Sequence, residues 1–153
     1  MRREARFAAA GCAVLLLGGC GMGRAALDAQ PVQSAAMAPV TTAEGIQQFS
    51  VPADGRALLG AELRKRVPGP IQDAQISNAW RTAASAQKTP DDYAACVTAT
   101  TPQGNQTFVM VKSGGGRSAG IGDVIAGAAA AKRCGDPSRV VQWAPLTEAV
   151  AMQ

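Results

Sequence analysis

The 153-residue sequence predicts an α+β fold: one N-terminal helix packed on a small antiparallel sheet. Two observations carry that expectation. Leu59, Leu63 and Val67 recur at i, i+4 and i+8, the spacing that puts apolar side chains on one helix face. Further on, two segments of alternating polarity, Tyr93 to Thr100 and Thr107 to Ser113, flank Thr101-Pro102-Gln103-Gly104-Asn105, whose turn chemistry predicts a hairpin.

The helix is expected from Asp54, as its N-cap, to about Val67, with Glu62 one turn from Arg66. Pro68-Gly69-Pro70 ends it. "AQISNAWRT" alternates Ile76 and Trp80 with polar neighbours and suits a strand, and "SAQKTPDD" reads as a loop. In "YAACVTAT", period two puts Tyr93, Ala95, Val97 and Ala99 on one face and Cys96 on the other. Asp123 to Lys132 reads as a helix after a glycine loop, and Val140 to Trp143 as a short last strand. With the remaining residues this makes one domain, 54 to 148, followed by a tail, 149 to 153.

The chain opens differently. Arg2, Arg3 and Arg6 precede an apolar run from Phe7 to Leu17, then Gly18 and Gly19, the layout of an export signal. About eleven apolar residues are too few for the roughly 20 that span a bilayer. Leu17-Gly18-Gly19-Cys20 resembles the lipobox of bacterial lipoproteins. That resemblance implies that residues 1 to 19 are a signal peptide, that Cys20 becomes the first mature residue, and that it carries acyl chains. Gly21 after the cysteine implies outer-membrane delivery, facing the periplasm. Residues 20 to 53, rich in Ala, Gln, Ser, Thr and Pro and without sustained apolar period, are expected to be a disordered tether, with Met37 and Ile46 marking at most a short helix or a docking segment.

On the same resemblance, Cys12 leaves with the signal and Cys20 is acylated, so Cys96 and Cys134 remain as one pair in an oxidising compartment. A disulfide is the leading expectation; two free buried thiols or a redox or metal site are the alternatives. The helix-to-sheet layout from "RKRVPGPIQDAQISNAW" through "YAACV" and "QTFVMVK" to Cys134 is also similar to a class of small bacterial envelope proteins. In that class a K-D-P-x-S-A-x-F helix precedes a cysteine-bearing antiparallel sheet. Pro70, Asp73, Ala74 and Ile76 correspond to it, the Ser does not, and no catalytic residue is implied.

Charge and composition exclude several classes. Removing the signal takes three of 15 basic and one of 11 acidic residues, leaving a side-chain charge of only +2. Such a balance, with no aromatic-interleaved basic stripe, does not point to nucleic acid. Arg64-Lys65-Arg66 suits a helix C-terminus better than an anion site. The chain has no histidine, which removes Cys/His zinc sites and His-based triads. Gly114-Gly115-Gly116 with Ala119 superficially resembles a dinucleotide turn, but too few residues follow for the second half of such a fold; a mobile surface loop is expected and no cofactor. Asp91-Asp92 are adjacent and do not converge as an acid/base pair. The expectation is a non-catalytic, membrane-anchored accessory or scaffolding module that contacts an envelope protein or peptidoglycan. The second reading is a small periplasmic inhibitor or ligand-binding domain, which would place Trp80 or Trp143 in a concave pocket.

Overall fold

In a computed structural model, residues 36 to 150 are described, all within the unit Gln33–Gln153. The expected signal peptide, Cys20 and the first part of the expected tether lie outside the described residues. Strands β1 (Val40–Thr41), β2 (Ile46–Phe49), β3 (Asp73–Thr82), β4 (Tyr93–Thr101), β5 (Gly104–Ser113) and β6 (Gly120–Ala126) form a meander in which each pairs antiparallel with the next. A seventh, β7 (Trp143–Pro145), pairs with the first half of β3 on the edge whose second half takes β2. The helices are α1 (Ala53–Arg66), α2 (Ala83–Lys88), α3 (Ala128–Cys134) and α4 (Thr147–Val150). The α+β class, with an N-terminal helix on an antiparallel sheet and one disulfide, is as the sequence predicts. Among the described residues no helix is long and apolar enough to cross a membrane.

The sheet has two unequal faces. On the first, Leu59 and Leu63 of α1 meet Ala74, Ile76, Tyr93, Ala95, Val97, Phe108 and Met110, and Leu146 and Ala149 complete this main core. On the second, Trp80, Cys96, Val109 and Ala130 form a smaller cluster under α3. The alternation read from β4 therefore holds residue by residue, with Cys96 opposite its neighbours. Glu62 accepts from Arg66 at 2.8 Å along the exposed side of α1. Gly60 lets α4 approach, since a Cβ there would sit 3.2 Å from the Ala149 nitrogen.

Several elements depart from expectation. The described part of the expected tether is not one, because Val40–Thr41 and Ile46–Phe49 join the sheet. Its polar composition hid this: Gln48 is buried, and its amide is satisfied by the Ser138 carbonyl at 2.7 Å. Asp54 is not the cap of α1; Pro52, extended at φ −60°, holds that position, and Asp54 lies in the first turn, where the helix dipole favours it. "SAQKTPDD" begins inside α2, whose N-cap is the Thr82 hydroxyl, which accepts from the Ser85 N–H. The expected helix from Asp123 is split: Gly120–Ala126 is a strand, Gly127 turns at φ +68°, and only Ala128–Cys134 is helical. Ile121 and Val124 reach the main cluster and Ile125 the smaller one, but a bulge opposite Met110 to Lys112 breaks the period-two alternation that would have marked this strand in the sequence. The last strand begins at Trp143, not Val140, and the tail from 149 starts inside α4, with Ala149 fully buried.

Candidate functional site

Cys96 and Cys134 are bonded, with Cα atoms 5.8 Å apart. The bond ties the end of α3 to the central strand β4 and closes the second cluster. Beside it, β3 carries a bulge between Ile76 and Ala79. A bulge leaves ladder groups unpaired, and two side chains sequence reasoning did not single out repair this one. The Ser77 hydroxyl accepts the Cys96 N–H at 2.9 Å and donates to the Asn78 carbonyl at 2.7 Å. Buried Asn78 accepts the N–H groups of Val141 and Gln142 at 2.8 and 3.2 Å and donates to the Arg139 carbonyl at 2.7 Å. One amide thus fixes the whole approach to β7.

The glycine segment is not a loose loop. Lys112, only 5 % exposed, donates to the carbonyls of Asp91, at 2.9 Å, and Gly114, and its ammonium lies 5.6 Å from the Tyr93 ring centroid. Asp92 accepts the Gly114 N–H at 2.7 Å. Gly114 turns at φ +75°, and Gly115 abuts the Asp91 carboxylate so closely that a Cβ would clash. Asp91-Asp92 and Gly114-Gly115 are therefore two halves of one staple between the start of β4 and the end of β5. The mobile connection expected here is instead a tied turn, with a short 3-10 turn at Gly116–Ser118 before β6. An alternating strand ending in Lys112 held the clue, since its inward parity puts the lysine beside Tyr93. Tyr93 itself is pushed above the usual tyrosine range by burial and then by the Asp54 charge, and its hydroxyl has no partner among the described residues.

Arg64, Lys65 and Arg66 border an open groove of about 550 Å³ with Val67, Pro68, Gly69 and Ile71. Arg64 donates to the Glu148 carbonyl and ties α4 to the helix end, while Arg66 and Lys65 both reach Glu62, at 2.8 and 3.5 Å, so all three cations are engaged within the fold. A second groove, of about 310 Å³, lies between Gln72–Ala74 and Pro145–Thr147 with Val150. Neither contains a tryptophan: Trp80 is buried in the second cluster and Trp143 stands exposed on β7. No group of three or more metal-ligating carboxylates or cysteines occurs among the described residues.

What remains is a bare patch on the sheet's second face, beyond the reach of α3. Register places it row by row: Pro145, Gln75, Thr98 and Thr107 lie side by side on β7, β3, β4 and β5, and Asp73, Thr100 and Asn105 form the next row. Trp143, 38 % exposed, stands at its β7 corner and belongs to neither core cluster. Comparison with protein families, with curated proteins and with solved structures finds no match to this chain.

Proposed function

We propose that the chain is a membrane-anchored lipoprotein of the bacterial envelope, held by acyl chains on Cys20, whose domain serves as a non-catalytic accessory or scaffolding module. The observation that carries the reading is the ordered series of basic start, short apolar run and Leu17-Gly18-Gly19-Cys20 ahead of a disulfide-bonded domain. A disulfide in so small a domain fits an exported, oxidising compartment. Two or three acyl chains, at roughly 0.8 kcal/mol per buried methylene, are enough for stable anchoring. Outer-membrane delivery, on the strength of Gly21, belongs to the same proposal.

Cys20→Ala tests it. The wild-type chain should enter the detergent phase on partitioning and incorporate labelled palmitate, and the variant should accumulate unprocessed or stay in the aqueous phase. A variant that partitions and is processed like the wild type would refute lipid anchoring at Cys20.

A further inference from the structure

The bare patch of the second sheet face combines three properties. It is an open sheet face, with strands about 4.8 Å apart and successive same-face side chains near 7 Å along each. It is polar but almost uncharged: among Gln75, Thr98, Thr100, Asn105 and Thr107 there is no ionisable group, and Asp73 at its margin is the one carboxylate. Its hydrogen-bonding capacity is unspent. The side chains of Thr98, Thr100, Asn105 and Thr107 have no partner among the described residues, and Gln75 has only a 3.4 Å contact to Asp73. At one corner the exposed Trp143 ring offers a large apolar plane, with Pro145 beside it.

We infer that this patch binds a linear pyranose polysaccharide, the glycan strand of the surrounding wall, with Trp143 stacking on the C–H face of one sugar ring and the Thr, Gln and Asn side chains pairing with hydroxyl and acetamido groups. The charge pattern selects this occupant. An anionic lipid surface or nucleic acid would find no cation on the patch and one carboxylate against it. A hydrophobic protein partner would bury five uncharged polar side chains, each costing free energy unless the partner satisfied it. A polysaccharide brings both donors and acceptors at short intervals and is neutral along its ring edges. An aromatic ring with a polar end is suited to a surface that is apolar on one side and wet on the other. The two rows and four strands span roughly 14 Å by 7 Å, room for two or three sugar units. The inference rests on the extracytoplasmic placement proposed above: twenty peptide units from Cys20 to Val40 reach at most about 70 Å, so a domain anchored there stays beside the wall.

The test is co-sedimentation of the full chain, in detergent micelles, with protein-stripped wall sacculi, with soluble N-acetylglucosamine oligomers as competitor. Wild-type protein should sediment and be released by the oligomers. Trp143→Ala should lose at least tenfold in apparent affinity, and Thr98→Val, which keeps the side-chain volume, several-fold. Both variants must keep the wild-type melting temperature within a few degrees; if Trp143→Ala does not, Thr98→Val and Gln75→Ala decide. Undiminished sedimentation of folded variants would overturn the inference, as would a Trp143-dependent dimer in sedimentation velocity with no glycan binding, which would make the patch an interface between copies. The anchoring question fails separately: a chain that binds sacculi but shows no lipidation at Cys20 refutes the proposed anchoring and leaves the glycan site standing.

Discussion

Replacing Asn78 by Ala should cost the domain about 3 kcal/mol, far more than loss of a surface amide. Asn78 is buried, and its side chain satisfies three backbone groups of the 139 to 142 segment at 2.7, 2.8 and 3.2 Å. A buried backbone group left without its partner costs roughly 1 to 3 kcal/mol. Val141 is exposed, so water can reach part of the gap and the lower end of that range applies to each. For about 115 ordered residues at roughly 2.1 cal/mol/K each, 3 kcal/mol lowers the melting temperature by about 12 °C. Urea unfolding followed by circular dichroism measures the loss directly.

Gln48→Ala provides an internal standard in the same assay. It removes a second long-range side-chain clamp on this segment, the 2.7 Å bond to the Ser138 carbonyl, and should cost about 1 kcal/mol alone. The two clamps hold adjacent stretches of one strap, so the double variant should lose less than the sum of the singles, because the strap is already loose. A loss below about 1 kcal/mol for Asn78→Ala would refute the claim that this amide fixes the approach to β7.

Reduction of the Cys96–Cys134 bond, whose cysteines lie 38 residues apart, removes about 4 kcal/mol on the chain-entropy account, and less where Asn78 and Gln48 hold the same strap; melting with and without reductant should differ by roughly 8 to 16 °C, and two titratable thiols in the oxidised protein would refute the bond. Tyr93→Phe should leave stability unchanged or raise it by up to about 1 kcal/mol, because it deletes a buried hydroxyl that has no partner among the described residues; a loss above about 1 kcal/mol in urea unfolding would reveal a hydrogen bond. The Glu148 carboxyl is held below its usual range, chiefly by hydrogen bonds from Arg56 at 2.9 and 3.0 Å. A depressed carboxylate contributes stability that is fully present above the unfolded value near 4.5 and is lost as pH falls through the folded one. The melting-temperature gap between wild type and Glu148→Gln should accordingly narrow as the pH falls below the ordinary carboxylate value.

The sequence made legible whatever one local period could encode. The stripe at Leu59, Leu63 and Val67, the parity of β4 and the Pro102-Gln103 turn between β4 and β5 are each set by neighbours a few residues away, and each stands where expected. What it hid depends on distant partners. Gln48 looks like tether until the Ser138 carbonyl, 90 residues on, satisfies its amide. Gly120 to Ala126 looks like a loop running into a helix until pairing with β5 rewards its extended form. Lys112 looks like an exposed strand end until Asp91 and Gly114 supply carbonyls for its ammonium. Trp80 and Trp143 look alike in the sequence as candidates for a pocket; the bulge in β3 and the position of β7 decide that one is core and the other surface.

The sheet's edges narrow the ways in which this domain can meet a partner. An open strand edge offers unpaired N–H and C=O groups to any extended chain, and proteins that do not use such edges blunt them. Here β1 is two residues long, β6 carries Gly120, Gly122 and Asp123, and β7 is three residues ending in Pro145, which has no N–H to give. Each edge is poor at adding a strand. The first face is closed by α1 and α4, and the disulfide closes half of the second with α3. Among the described residues, side-chain contact on the remaining half-face, with Trp143 at its corner, is therefore better supported than β-strand addition, and the proposed glycan would be read there by ring stacking and side-chain hydrogen bonds.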